Sequence, residues 1–392
     1  MNKIELLAPA GDVERAKTAL LYGADAVYLG GHVGSLRARA SNFTLDDIKN
    51  VVDFAHSLNK KIYVTVNIIP HDREMGEMEE YLQGLDQAGI DAIIVSSLSI
   101  VSIVKRLNLH FACHASTQLS TLNTSAINFL TDMGMSRVVL GRECSLKDID
   151  LIKSKTTTEI EVFIHGGMCL SYSGRCVMSN YLTGRDANRG GCAHCCRWDY
   201  VFNDQVFFMG SRDLEGVEVV PELIKMGVSS LKIEGRMKTA YYLACVVSTY
   251  RRLIDDVYNH SIQDGDVYKH MLLQAESRPG ATGFFFHRPG MNEQLFNGIN
   301  HIPRQDFLGV VIKYDAQLKR VWVSERNHFN EGDNVEFMSP SHAYVQTKVC
   351  HLKDKNNIPV ECARVAEEVI SFDCLEVVEP GDLMRIYLEK EC

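Results

Sequence analysis

The sequence predicts an α/β fold: a (β/α)₈ barrel of the TIM type with a cysteine-rich loop insertion, followed by a small C-terminal antiparallel β-barrel domain. Short apolar runs of strand length alternate with helical stretches through the first 236 residues. Four of these runs share one local pattern, and the chain changes to short strands with frequent turns after residue 301. We therefore predict a barrel over 1–275 with its loop at 165–198, a linker over 276–301 and a β domain over 302–392.

Eight strand candidates precede residue 236. Four follow the end of a helix and a glycine suited to a left-handed cap: "LYGADAVYLGG", "QAGIDAIIVSS", "DMGMSRVVLGR" and "KMGVSSLKIEG". The other four are "IELLAPA", "KIYVTVNII", "HFACHAST" and "EIEVFIHG". Continuous apolar strands are typical of a parallel sheet covered on both faces. Eight strands favour a closed barrel. The alternative is a doubly wound open sheet, and the sequence lacks the glycine-rich dinucleotide motif after the first strand that would support it.

Helical stretches connect these strands and then give way to a different architecture. The predicted helices are "ERAKTALLYG", "LDDIKNVVDFAHSLN", "EMEEYLQGLDQAG", "NTSAINFLTDMG", "SLKDIDLIKSK" and "TAYYLACVVSTYRRLIDDVY". A stretch rich in Gly and Pro follows, and the predicted strands of the β domain are "FLGVVIKYD", "KRVWVSE", "NVEFMSP" and "GDLMRIYLE". Turn signals at short spacing favour a small antiparallel barrel.

Composition narrows the class of protein. The 392 residues are 46% hydrophobic and 23% charged, as in a globular protein with a full core. No apolar run approaches the roughly 18 residues that span a bilayer, and the first residues do not form a signal peptide, so we expect a soluble, cytoplasmic chain. The net charge of −9 argues against non-specific coating of nucleic acid but permits a local basic groove.

Polar residues follow the predicted strands at the end where TIM barrels carry their chemistry. Each has an ordinary structural interpretation, such as a helix cap, a buried histidine or an ion pair between Glu234 and Arg236. Together they predict a polar site at this rim, formed by Asn67, Ser96, Ser97, His114, Gln118, Arg142, Glu143, His165, Glu234 and Arg236.

The segment from His165 to Trp198 holds five of the twelve cysteines. Cys169, Cys176, Cys192 and Cys196 are separated by six, fifteen and three residues, with Cys195 as an extra neighbour. Structural zinc sites usually have two short C-x₂₋₄-C pairs, whereas a [4Fe–4S] cluster held by four cysteines accepts wider spacing. We rank the cluster first, zinc second and thiol chemistry third, and a reducing compartment disfavours disulfides.

Basic and aromatic residues surround these cysteines. Arginines and lysines of this segment and of the neighbouring strand ends indicate a local positive surface, suited to an anionic substrate or a phosphate backbone: Arg175, Arg185, Arg189, Arg197, Arg212, Lys232, Arg236 and Lys238. A solvated charged face is the alternative. Tyr172, Tyr181 and Trp198 could stack on a base, although aromatic residues in such loops more often pack against the protein.

The stretch "EVFIHGGMCLSYSGRCVMSNYLTGRDANRGGCAHCCRW" closely resembles the defining motif of peptidase family U32, the collagenase-like family. "LLAPAGD", "HASTQLS" and "KIEGRMK" match other blocks of that family in order, over almost the whole chain. The resemblance implies a (β/α)₈ barrel with a [4Fe–4S] cluster, and several members are oxygen-independent hydroxylases. The branch that this sequence resembles most forms 5-hydroxyuridine at the wobble position of tRNA in a prephenate-dependent reaction.

The resemblance implies a role for each candidate residue. The cluster ligands are Cys169, Cys176, Cys192 and Cys196, and Cys195 departs from the proline common in the family. Prephenate is a dicarboxylate, so arginine forks are expected to bind it. The implied substrate-binding residues are Asn67, Gln118, Arg142, Arg175, Arg185, Arg212 and Arg236, and the implied catalytic residues are His165, His114 and Glu234.

Three other functions remain open. The family's name suggests a peptidase, although the chain has neither an H-E-x-x-H nor a G-x-S-x-G motif. Relatives in the family hydroxylate ribosomal RNA or a small aromatic substrate. A non-enzymatic subunit that carries a cluster and acts with a homologous partner, or as a homo-oligomer, is the third.

Overall fold

The computed structural model describes residues 3–35, 42–172, 175–275, 278–295 and 307–387. The chain divides into two compact units, Met1–His301 and Ile302–Cys392.

Eight parallel strands of the first unit close into a barrel. They are β1 (Glu5–Pro9), β2 (Ala26–Leu29), β3 (Lys61–Val66), β4 (Ala92–Val95), β5 (Ala112–Ala115), β6 (Arg137–Val139), β7 (Glu159–Gly166) and β11 (Ser230–Ile233). Each of β1 to β7 pairs with the next, and β11 pairs with both β1 and β7, which closes the ring. All eight correspond to the predicted strands, so the predicted (β/α)₈ barrel is confirmed.

Helices follow most of the barrel strands. They are α1 (Val13–Leu21), α2 (Leu45–Ser57), α3 (Met75–Ala88), α4 (Leu98–Leu107), α5 (Thr124–Asp132), α6 (Leu146–Lys153), α7 (Met178–Thr183), α8 (Val220–Lys225), α9 (Ala240–Tyr258) and α10 (Gly265–Leu273). The sequence predicts α1, α2, α3, α5, α6 and α9. It does not predict α4, because the β-branched run "LSIVSIV" has the composition of a strand.

Local capping explains where two of these helices begin. At the start of α2, the Thr44 side chain accepts from the Asp47 backbone and the Asp47 carboxylate accepts from the Thr44 backbone, which forms a capping box. Ser145 and Asp148 form the same box at the start of α6. No helix in the described ranges is long and apolar enough to cross a membrane.

The cysteine-rich segment, residues 167–212, lies between β7 and β10 (Asp213–Glu215). It contains α7, two short 3₁₀ helices and a hairpin of β8 (Asp199–Phe202) and β9 (Gln205–Phe208). β10 runs antiparallel to the end of β7, with Leu214 opposite Gly166. β12 (Gly280–Ala281) pairs with β10, so these residues of the predicted linker join the first unit. The remainder of that linker lies partly outside the described residues.

The second unit is an antiparallel β domain, as predicted. Its strands are β13 (Phe307–Asp315), β14 (Arg320–Glu325), β15 (Phe329–Asn330), β16 (Asn334–Met338), β17 (Val345–Lys348), β18 (Cys350–Lys353), β19 (Cys362–Ala363), β20 (Val369–Asp373) and β21 (Leu383–Ile386). Seven of them form one sheet in the order β17-β16-β21-β13-β14-β20-β18, and β15 pairs with β19. A cluster of buried side chains that includes Phe329, Phe337 and Phe372 forms the core.

Candidate active site

A cavity of about 290 Å³ opens at the carboxyl ends of the barrel strands. Residues of the cysteine-rich segment line one side of it. Six barrel strands each contribute one side chain to the remaining lining: Tyr28, Thr65, Ile94, Val139, Phe163 and Lys232. The structure therefore brings part of the predicted polar rim and the cysteines into one site, at the end of the barrel where enzymes of this fold act. The rim residues in it are Asn67, Gln118, Arg142, Glu234 and Arg236.

Four cysteines converge on this cavity: Cys169, Cys176, Cys192 and Cys196. Burial raises the pKa of the Cys169 thiol, and the nearby Cys176 and Cys192 thiols raise it further. Burial likewise raises the pKa of Cys196, and the other three thiols act on it in the same direction. The four side chains are thus close enough to interact electrostatically, although they lie far apart in sequence.

These thiols do not form the site of a single ion. No three His, Cys, Asp or Glu side chains in the described ranges are grouped closely enough to hold one metal ion. A four-iron cluster is larger than one ion, and its four thiolate ligands stand further apart. Four cysteines facing one cavity are a donor set that fits a [4Fe–4S] cluster.

Cys195 differs from these four. It is buried, and its Sγ lies 3.8 Å from the Oγ of Ser179. The Tyr200 hydroxyl donates to its carbonyl oxygen at 2.8 Å. Although Cys195 also lines the cavity, these neighbours hold it against α7.

Arg142 is a cavity cation that forms no ion pair among the described residues, although the charge of its neighbour Glu143 acts on it. It follows β6, and its guanidinium lies 3.8 Å from the centroid of the Phe163 ring, which supports it by a cation–π interaction. Arg142 makes no hydrogen bond or ion pair with any residue that the structure describes. A guanidinium exposed to a cavity in this way is available to a carboxylate or phosphate.

Lys232 is the second cation of the lining, and it is almost fully buried. Its Nζ donates to Glu161 at 2.6 Å and lies 4.4 Å from the centroid of the Tyr28 ring. Burial lowers the pKa of Lys232, while the Glu161 carboxylate opposes that effect. The Arg137 guanidinium also donates to Glu161 at 3.4 Å. Lys232 and Arg137 therefore share one carboxylate in an ion network inside the barrel, and Lys232 is its member at the cavity.

Arg236 is held rigidly at the opposite wall. Its guanidinium donates to Ser35 Oγ at 2.9 Å and to Thr65 Oγ1 at 3.4 Å. Any side chain at Gly30 would collide with this guanidinium, because an added Cβ would overlap Nη2. The glycine after β2 therefore makes room for Arg236 to reach the cavity.

Three further predicted residues line the same cavity: Asn67, Gln118 and Glu234. The Oε1 of Gln118 is buried and has no hydrogen-bond partner among the described residues. The carboxylate of Glu234 accepts from the backbone N–H of Gly167 at 3.3 Å. Gly166 has φ of 104° and lies against the Glu234 backbone, so the close approach of β7 to Glu234 requires glycine at this position.

The two predicted histidines are not among the described lining residues of the cavity. His165 packs against Tyr242 and Tyr250 of α9, and its Nδ1 lies 3.2 Å from the Tyr250 hydroxyl. His114 lies deeper in the barrel beside Tyr63, where burial and the charges of Arg137 and Lys232 hold its pKa well below the usual range.

Three of the predicted arginines also lie outside the cavity lining. The Arg175 Nε contacts Ser120 Oγ at 3.4 Å, and Arg185 contacts the Cys192 carbonyl at 3.4 Å. The backbone of Arg212 donates to Glu293 at 2.9 Å. These side chains belong to the cysteine-rich segment around the cavity, and Arg142 and Arg236 are the predicted arginines that reach its interior.

The sequence did not single out several lining residues, including Tyr28, Thr65, Phe163 and Asn188. Tyr28, Thr65 and Phe163 lie within apolar strands, so the sequence pattern predicts that they are core residues. Counting alternate positions back from the polar strand end is the signal that could have found them, because inward-facing residues recur with a period of two.

Comparisons with known proteins agree with this architecture. A family model described as "Peptidase family U32" matches residues 11–295, and "Peptidase family U32 C-terminal domain" matches residues 303–385. The chain is 41% identical over 402 residues to the tRNA hydroxylation protein P1 of Bacillus subtilis (strain 168), covering 98% of this chain and 95% of that protein.

Two more comparisons extend this set. The chain is 37% identical over 294 residues to the 23S rRNA 5-hydroxycytidine C2501 synthase of Escherichia coli (strain K12), which covers 73% of this chain and 43% of that protein. Among solved structures, the U32 peptidase Mk0906 aligns with 60% of this chain and 95% of that one, at 9% identity and a TM-score of 0.42.

Proposed function

The chain belongs to peptidase family U32, and from that membership we propose that it is an RNA hydroxylase. Its substrate is tRNA, its product 5-hydroxyuridine at the wobble position, its co-substrate prephenate and its cofactor a [4Fe–4S] cluster. Two relatives that it resembles over most of its length are named for hydroxylating tRNA and for making 5-hydroxycytidine in ribosomal RNA.

One observation carries the proposal: a single cavity at the active end of the barrel combines four cysteines with cations suited to a small anion. The volume of about 290 Å³ is near the lower limit for small-molecule sites. Such a space suits small molecules and single bases, and it is too small for folded RNA. A target base must therefore leave its stack to enter.

The four cysteines of the cavity would hold the cluster, which when bound supplies redox and Lewis-acid chemistry. The chain's own residues bind and orient the two substrates. Arg142 and Arg236 face the carboxylates of prephenate, and Asn67 and Gln118 present amides to the polar edge of the base. Glu234, the one acid among the described lining residues, places a carboxylate in the cavity that can hold a proton released during the reaction.

The rim of the cavity suits the RNA strand that carries the base. Tyr181 is 92% exposed, and Tyr172 and Trp198 are also exposed, so flanking bases can stack on them. Arg175 and Arg185 lie in the same segment and can contact phosphates.

Peptide hydrolysis has less support from the geometry. A cysteine nucleophile requires a histidine within hydrogen-bond reach, and no histidine is found among the described residues that line the cavity.

The test is anaerobic purification with iron and sulfide analysis, followed by incubation with prephenate and tRNA that lacks the modification, and mass spectrometry of the nucleosides. We expect about four irons per chain and formation of 5-hydroxyuridine. Cys169→Ala loses both, whereas Cys350→Ser, a cysteine of the second unit, retains both.

Other outcomes would overturn the proposal. A colourless protein that contains zinc or no metal would exclude the cluster mechanism, and cleavage of gelatin would favour the peptidase. Hydroxylation of ribosomal RNA in place of tRNA would reassign the substrate. Activity only after addition of a second family member would make this chain a subunit.

A further inference from the structure

Two cations of the cavity share one aromatic ring. The Arg142 guanidinium lies 3.8 Å from the centroid of Phe163, and the Nζ of Lys232 lies 5.4 Å from the same centroid. The charge of Arg142 also acts on Lys232. Like charges this close repel each other unless an anion lies between or beside them.

The protein pairs one of these charges directly. Lys232 binds Glu161 at 2.6 Å on the side away from the cavity opening, whereas Arg142 forms no ion pair among the described residues, and the acid whose charge acts on it is its chain neighbour Glu143. Glu161 itself is shared with Arg137 at 3.4 Å. Glu234 is the acid that lines the cavity, and the Gly167 N–H holds its carboxylate at 3.3 Å.

Lys232 is fixed in position to a degree unusual for a lysine. It is 4% exposed, stands on β11 between the pairings with β1 and β7, and has its ammonium over Tyr28 as well as beside Glu161. A long side chain that is already ordered loses little conformational entropy when it binds a ligand. The same does not hold for Arg175 and Arg185 in the cysteine-rich segment.

We propose that Arg142 and Lys232 form a two-cation site over Phe163 that binds one carboxylate of the dicarboxylate co-substrate. The inference rests on the proposed function, since it assigns a residue and an orientation to the co-substrate of that reaction. Arg142 supplies a planar fork and Lys232 a point charge, and the apolar walls of Tyr28 and Ile94 accommodate the attached ring. Arg236, which lines the same cavity, then faces the second carboxylate.

The test compares variants that remove charge and keep an apolar side chain. Arg142→Met removes the unpaired cation. Lys232→Met removes the closer of the two cations that Glu161 binds and leaves it only Arg137 at 3.4 Å, which can prevent folding, so Lys232→Met with Glu161→Gln is prepared beside it. Lys225→Met is the matched control, because Lys225 is exposed on α8 before β11 begins.

Two measurements are made on each protein. Thermal unfolding is followed with increasing prephenate and, for comparison, with the monocarboxylate phenylpyruvate. The apparent KM values for prephenate and for tRNA are then measured by nucleoside analysis. We expect Arg142→Met and the double variant to raise the prephenate KM by about 10- to 100-fold, as for loss of a charge-assisted hydrogen bond. The tRNA KM and the control stay within about twofold of wild type.

Each result has a distinct meaning. A raised tRNA KM with an unchanged prephenate KM would overturn the inference, because the two cations would then bind RNA phosphate. Hydroxylation with wild-type prephenate KM in the variants would overturn it while leaving the proposed function intact. Thermal stabilisation by prephenate that the variants lose, in a wild-type protein that hydroxylates nothing, would support the site and overturn the function.

Discussion

The two ends of the barrel treat charge in opposite ways. At the amino end, Arg137 at the start of β6 contacts Glu5 at 2.5 Å, Glu159 at 2.8 Å and Glu161 at 3.4 Å. At the carboxyl end, Arg142 follows the same strand and has no ionic partner in the described ranges. Arg137 thus lies in a fully paired ion network, and Arg142, five positions later, lines an open cavity.

The difference separates groups that maintain the fold from groups that await a ligand. A buried charge is tolerated only when it is paired and hydrogen-bonded, and the amino-end network meets that requirement within the protein. At the carboxyl end, and among the residues that the structure describes, the buried Gln118 Oε1 has no hydrogen-bond partner and Arg142 forms no ion pair. Polar groups left incomplete by the protein mark the place where substrate completes them.

Replacing each of the two arginines with methionine tests the difference between the two ends most directly. Arg137→Met leaves three carboxylates without their shared cation and should lower the free energy of unfolding by about 3–5 kcal/mol. Arg142→Met should change it by less than about 1 kcal/mol, since the lost cation–π contact is offset by relief of repulsion with Lys232.

Urea unfolding measures this pair of variants. The chain has two tryptophans, Trp198 in the first unit and Trp322 in the second, so a Trp322→Phe background restricts the fluorescence signal to the barrel unit. Equal losses of stability in both variants would contradict the distinction between the two ends.

The pH dependence of stability tests the comparison further, because the amino-end network contains the carboxylate of Glu5, which titrates at acid pH. Burial alone would raise the pKa of Glu5, but the Arg137 charge and the hydrogen bonds from Arg137, Tyr63 and Ser230 outweigh it and hold the pKa below its usual range. Its contribution to stability is therefore complete above the unfolded pKa of about 4.3 and is lost as the pH falls through the folded pKa.

The expected result is a free energy of unfolding that decreases below about pH 4.3, with Glu5 adding at most about 1.4 kcal/mol per pH unit to the slope. Glu5→Gln should show a shallower slope over the same range. If wild type and variant titrate in parallel, Glu5 is not held by the network as described.

The smallest expected effect comes from the polar groups near the cavity. Gln118→Leu removes an amide whose Oε1 has no protein partner, so the free energy of unfolding should change by less than about 1 kcal/mol while hydroxylation falls. Thr65→Val is the matched change: its hydroxyl bonds Leu29 O at 3.0 Å and Ser35 Oγ at 2.9 Å, and its loss should cost about 1–2 kcal/mol. Urea unfolding of the two variants measures these changes. A larger loss of stability for Gln118→Leu than for Thr65→Val would contradict the prediction.

The sequence was sufficient for the barrel because each strand is a short apolar run that ends in a polar residue, and that pattern has a direct physical cause in a sheet covered on both faces. It was sufficient for Asn67, Arg142 and Arg236 for the same reason, since strand ends meet at one rim. It failed for α4, whose β-branched composition resembles a strand while its position between β4 and β5 requires a crossover helix.

His165 shows a different limit. It follows Phe163 by two residues on β7 and should face the same way, yet the pairing of β7 with β11 shifts between these positions and His165 turns toward α9. A β-bulge reverses the face to which the later side chains of its strand point, and the amino-acid composition does not reveal it. Likewise, spacing alone did not show that Arg175, Arg185 and Arg212 remain outside the cavity.

The antiparallel pairing of β10 with the end of β7 has a consequence for how such proteins diversify. The cysteine-rich segment leaves the barrel after Gly166 and returns at Leu214, directly opposite it. Because the scaffold fixes both ends side by side, the intervening chain can change in length or sequence without altering the register of any barrel strand. The segment can therefore be exchanged as a unit, which replaces the rim of the cavity and leaves the barrel strands beneath it unchanged.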